Sequence, residues 1–133
     1  MEITRAGSRP TRRPEAAYFT GEVLMDPIVT APAPARIRAL AVHFAPGART
    51  NWHTHPLGQT LHVLSGTGRI QGEGEAVQEI RPGDTVWIAP GERHWHGAAP
   101  ATAMTHLAMQ EDDGTGTDWQ GPVDDATYTA TPE

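Results

Sequence analysis

Apolar residues recur along this chain in short runs, each cut off by glycine or proline, at intervals of roughly ten residues. Ile37 to Phe44 reads as a strand closed by Pro46-Gly47, and Thr60 to Leu64 as another, ended by Ser65-Gly66-Thr67-Gly68. Arg69 to Gln71 and Ala76 to Ile80 flank Gly72-Glu73-Gly74-Glu75, a hairpin signal. Pro82-Gly83-Asp84 precedes Thr85 to Ala89, and His94 to Gly97 and Met104 to Gln110 add two more strands. Upstream, Ala17 to Leu24 is expected to form one strand with Tyr18 and Phe19 in the core. No long stretch carries helical periodicity. The pattern predicts an all-β sandwich or jelly-roll barrel.

One domain is expected from 133 residues. Residues 1–36 form an N-terminal arm and strands, 37–112 the barrel, and 113–133 a polar, Thr-rich tail. Trp119, Val123 and Tyr128 are expected to pin parts of that tail to the barrel, with its end fraying. The 14 glycines and 12 prolines are spread over the whole length, as all-β punctuation requires.

Composition removes several chemistries. Cysteine is absent, so thiolate metal sites, disulfides and thiol nucleophiles are excluded. Lysine is also missing, which excludes a Schiff base on a lysine. The net charge of −6 argues against nucleic acid or an anionic membrane as partner. No apolar run approaches a membrane span, and the arginine-bearing start lacks the core of a secretory signal, so a cytoplasmic location is expected.

Histidine carries the candidate chemistry. His53 and His55, two apart on an extended segment, place both imidazoles on one face, close enough to share an ion. Gln59 follows the Pro56-Leu57-Gly58 bend, which can swing it back, and His94 comes from a later strand. Three imidazoles and one oxygen suit divalent Mn, Fe, Co, Ni or Zn. His96 shares the face of His94 if that segment is extended. Along Met104 to Gln110, alternation groups His106 with Ala108 and Gln110. Leu61 lies on the metal-facing side of its strand, and Leu40 and Val42 on the substrate-facing side of theirs. His43 and His62 fall on opposite faces from these and read as surface, intersheet or subunit-contact residues. Trp52, Trp87 and Trp95 read as aromatics covering the outside of the barrel or a subunit contact, and Arg49 and Arg93 as solvated rim charges.

The spacing resembles the cupin superfamily. Its first motif is matched by Gly47, His53-Thr54-His55, Gln59 and Gly66, and its second by Gly83, Ala89-Pro90-Gly91 and His94, every interval kept. Gln59 stands for the usual Glu, Ala89 for a Pro, and Ala98 for an Asn. A closer resemblance, in GARTNWHTHPLGQTL and PGERHWHGAAPATAMTHLAMQE, is to small bacterial cupins that act as hydroxynitrile lyases and typically use manganese. It implies that Thr50, His96, His106 and Gln110 line the pocket beside the metal. The expected activity is reversible cleavage of a cyanohydrin, such as mandelonitrile, to an aldehyde and hydrogen cyanide, with His106 moving the hydroxyl proton. Manganese is the favoured ion; iron, zinc, nickel and cobalt remain open. With Gln59 all four protein ligands are neutral, so the ion keeps its full +2 charge, which favours Lewis-acid over one-electron chemistry. A cupin dioxygenase cleaving C–C or C=C bonds and a non-catalytic metal- or ligand-binding cupin are the competing readings. Small cupins pair through N-terminal strands, so a homodimer or homotetramer is expected.

Overall fold

The computed structural model describes residues 1–133. Two antiparallel sheets curl against one another. The first, of five strands, runs in the order β2 (Val23–Thr30), β3 (Ile37–Phe44), β11 (Met104–Glu111), β6 (Gln59–Gly66), β9 (Thr85–Ile88). The second, of seven, has the path β1 (Phe19–Thr20), β4 (Arg49–Thr50), β10 (His94–Ala98), β5 (His53–Thr54), β12 (Asp118–Trp119). The hairpin β7 (Gly68–Gly72) and β8 (Gln78–Ile80) joins this sheet through β7 against β10. This is the jelly-roll barrel that the punctuated apolar runs predict.

Alternation sets what each sheet turns inward. From the first come Val42 and Phe44, Leu61 and Val63, Met104 and Ala108, all buried in one apolar cluster with Ile70, Ile80 and Ile88. Burial of side chains this size stabilises a fold by about 2 kcal/mol each. His106, flanked in register by Val42 and Val63, is fully buried in this layer. The second sheet sets Thr50, His53, His94 and His96 opposite, each at most 4% exposed. Polar groups this deep must be mutually satisfied or hold something.

Two segments depart from the sequence reading. Ala17 to Leu24 is not one strand: a 3₁₀ turn over Ala16–Tyr18 leads into β1, and Gly21 breaks the path before β2. Gly21 has φ +80°, and a Cβ there would lie 2.9 Å from Ala48. The tail carries two elements that the sequence reading did not include. It contributes β12 and a short helix, α1 (Asp125–Thr129), capped by the Asp124 carboxylate accepting from the Thr127 N–H at 2.7 Å. Val123 and Tyr128 from this segment pack on Trp95 and Val77 as a second apolar cluster outside the seven-stranded sheet. Trp95 is thus covered by the chain's own tail, while Trp87 remains 63% exposed. No helix is long and apolar enough to cross a membrane.

Candidate metal centre and pocket

The residues predicted as ligands converge because β5 and β10 pair with His53 directly opposite His94. Their rings are 4.2 Å apart between centroids, and His55 lies 5.0 Å from His53 and 5.5 Å from His94. Gln59 is brought back by the bend, as expected. Gly58 takes φ +79°, and a Cβ there would meet the Ile88 carbonyl at 2.6 Å, so the turn admits no other residue comfortably. The tightest trio, however, is His53, His94 and His96, whose ligand atoms all lie within 4.8 Å of one another. His96 shares the cavity wall with His53, His55 and Gln59.

The outer nitrogens are anchored. His53 Nδ1 donates to the Asn51 carbonyl at 2.9 Å and His94 Nδ1 to the Glu92 carbonyl at 2.8 Å. His55 Nδ1 faces the Thr117 hydroxyl at 3.3 Å. With the proton on Nδ1, each ring turns an Nε2 lone pair inward. Gln59 is fixed by its Nε2 donating to Gln110 Oε1 at 2.6 Å, which leaves Gln59 Oε1 as the inward atom. His55 Nε2, Gln59 Oε1, His94 Nε2 and His96 Nε2 are buried and have no hydrogen-bond partner. Three of these atoms, on His55, Gln59 and His94, belong to residues of the predicted ligand set, and neutral nitrogen and oxygen acceptors left without a partner are what a divalent cation takes. The residues present therefore fit a metal ion of the kind the sequence pattern implies.

Burial keeps the imidazoles neutral. Desolvation, reinforced by His94, pushes His55 down to about 4. His106 is also pushed down to about 4 by burial. His53 and His96 lie well below the ordinary histidine value through burial first and neighbouring imidazoles second, and burial lowers His94 as well. His96 and His106 are hydrogen-bonded to each other, Nδ1 to Nε2, at 3.0 Å.

Beside these ligands is a cavity of about 110 Å³. Its wall includes Leu40, Val42, Thr50, Ala108 and Gln110, as the sequence predicts, together with His53, His55, Gln59 and His96. Two expected residues stand further back. Leu61, in register with Ala108, is fully buried in the apolar cluster and does not reach the wall. His106 is behind His96, against Phe44 at 5.3 Å between rings, and lines no part of the cavity. Five wall residues were not anticipated there: Phe19, Met25 and Phe44 from β1, β2 and β3, and Thr117 and Trp119 from the tail. The Tyr18-Phe19 pair at the start of β1 and the isolated Trp119 were visible as apolar positions, but nothing local ties them to the histidines.

Arg49 corrects the reading as a rim charge. Arg49 is buried, points away from the metal residues, and donates to the Val123 carbonyl at 2.8 Å and to Asp125 at 2.8 Å while stacking on Tyr128. Its strand position opposite Gly97 puts it on the outer face, under the tail. Arg93 lies over Trp52 and pairs with Glu73. His43 and His62 fall on the outer face, as expected; His43 bridges Asp26 and Thr105, and His62 meets Thr85.

Comparison with known proteins bears on this geometry. The family model described as a cupin domain matches residues 40–109. Over 129 residues the chain is 58% identical to a protein named (R)-mandelonitrile lyase from Granulicella tundricola, spanning 96% of this chain and 98% of that one. Among solved structures, a cupin-like protein from Thermotoga maritima superposes with a TM-score of 0.85 at 34% identity, covering 100% of this chain and 98% of the other. The polyketide cyclase RemF from Streptomyces resistomycificus shares the fold, with a TM-score of 0.77 at 16% identity over 96% of this chain and 90% of its own.

Proposed function

The chain belongs to the cupin family, and from that premise we propose that it is a carbon–carbon lyase that reversibly splits cyanohydrins such as mandelonitrile into an aldehyde and hydrogen cyanide. The observation that carries this reading is the 58% identity, over nearly the whole chain, to a protein named for that substrate. The site is chemically suited to it. A small cavity with Phe19, Phe44 and Trp119 in its wall offers apolar surface to an aryl group, beside neutral bases.

The proposed ligands are His53, His55, Gln59 and His94, and the proposed ion is manganese(II). When bound, a divalent ion supplies Lewis-acid charge beside a hydroxyl oxygen or a departing cyanide. The remaining work falls to side chains. His96, unpartnered at Nε2 on the cavity wall, takes the hydroxyl proton, and its bond to His106 spreads the resulting charge over two rings. As the C–CN bond breaks, its electron pair leaves with cyanide and the carbonyl forms; the same imidazole pair then returns the proton to cyanide. Thr50 accepts from the His96 backbone N–H at 3.2 Å and holds that strand in register with the pocket. Gln110 keeps the Gln59 oxygen turned inward.

The test is direct. Metal analysis of the purified protein, then assays after restoring each metal, should give mandelonitrile cleavage above background at mildly acidic pH with manganese, abolished by chelation. A manganese-loaded sample that leaves mandelonitrile at the background rate would overturn the reading.

A further inference from the structure

Of the three imidazoles assigned to the ion, two take their orientation from close by in the chain. His53 and His94 each donate to the carbonyl two residues upstream, Asn51 and Glu92. His55 has no such local carbonyl. Its Nδ1 partner is Thr117, 62 residues away, at 3.3 Å. After β11 the chain turns on two side-chain bonds, Gly114 N–H to Asp112 and Thr115 N–H to Asp113, and returns along the mouth of the site. It then pairs as β12 with β5, setting Trp119 opposite His53 and Asp118 opposite Thr54.

Trp119 also lands on a ligand. Its indole lies 4.6 Å from the His53 ring at an interplanar angle of 31°. The same indole stacks on Tyr18 at 4.8 Å and 5°, and contacts Phe19 at 5.5 Å. The N-terminal turn and the tail therefore meet through one indole, against one metal-facing imidazole.

We propose that Thr117 and Trp119 are positioning residues of the metal centre, so that the tail strand β12 completes a site whose ligands all come from the barrel. With the ion on His55 Nε2 the ring proton sits on Nδ1, and the Thr117 hydroxyl then accepts it and sets the ring angle. Trp119 holds the His53 ring through a tilted aromatic contact. Partners of this kind change metal affinity by about tenfold or more when removed. The inference rests on reading His53, His55, Gln59 and His94 as the ligand set.

The experiment is calorimetric titration of manganese(II) into metal-free, full-length protein, with thermal melting of the same samples. Thr117→Val, which keeps the shape and removes the hydroxyl, is expected to raise Kd about tenfold or more, and Thr117→Ser to restore it. Trp119→Leu should weaken binding similarly while Trp119→Phe, which keeps an aromatic face, stays near wild type. Folded Thr117→Val and Trp119→Leu proteins with Kd within about twofold of wild type would overturn the proposal. If Thr117→Val loses its cooperative melt, the Leu and Phe variants at position 119 decide: equal affinities reject the role of the tail. Because the readout is metal binding, a wild type that binds manganese but spares mandelonitrile sinks the lyase reading alone. Unchanged affinities beside intact turnover sink this one alone.

Discussion

At the scale of single residues, the site is governed by neutrality. Gln59 contributes an oxygen without a charge, and burial strips the imidazoles of theirs. Gln59→Glu would add one negative charge to the ligand set and lose the amide that donates to Gln110. Manganese affinity should rise and kcat for mandelonitrile fall, about tenfold, as the ion's effective charge drops; titration calorimetry and steady-state assays read both. His106→Ala removes the partner of His96 without touching a proposed ligand. It is expected to lower kcat by about 100-fold with metal content unchanged, as measured by elemental analysis. Leu40 narrows a cavity of only about 110 Å³. Leu40→Ala should shift kcat/KM toward bulkier aromatic cyanohydrins and reduce unfolding free energy by about 2 kcal/mol.

At the scale of elements, the strands do the placing and the connections do the aiming. The β5–β10 register puts His53 against His94, and the Gly58 turn returns Gln59 to the same space. On the outside, α1 seals the seven-stranded sheet: Tyr128 donates its hydroxyl to the Ala98 carbonyl, and Arg49 and Arg69 lie over its ring. The helix is too short to stand without this packing. Asp124→Ala removes its cap and should cost about 1 kcal/mol in denaturant unfolding, leaving metal affinity unchanged because α1 touches no ligand.

At the scale of the whole molecule, a core containing five buried histidines makes stability depend on pH. His53, His55, His94, His96 and His106 all have pKa values below 6.5 in the fold. In the unfolded chain they titrate near 6.5, so below that pH the unfolded state binds more protons than the native one. Stability is therefore full above about pH 6.5 and is lost as pH falls towards 4. For His106, shifted to about 4, the loss approaches about 3 kcal/mol by pH 4. Melting of the metal-free protein should show a Tm that is flat above neutrality and declines through this window.

Much of this was legible in order along the chain. The punctuated apolar runs determined an all-β barrel, because strand length and turn chemistry are local. The spacing of His53, His55, Gln59 and His94 predicted residues that the fold gathers at one place, because two-residue alternation and one tight turn decide which face a side chain occupies. Tertiary structure decided everything that depends on distant pairing. It set Thr117 on His55 and Trp119 on His53, across separations that no periodicity encodes. It buried Arg49 under the tail, where local sequence suggested a solvated charge. It also brought His96 to the cavity wall with His106 behind it, since alternation gives a residue's face but not its depth.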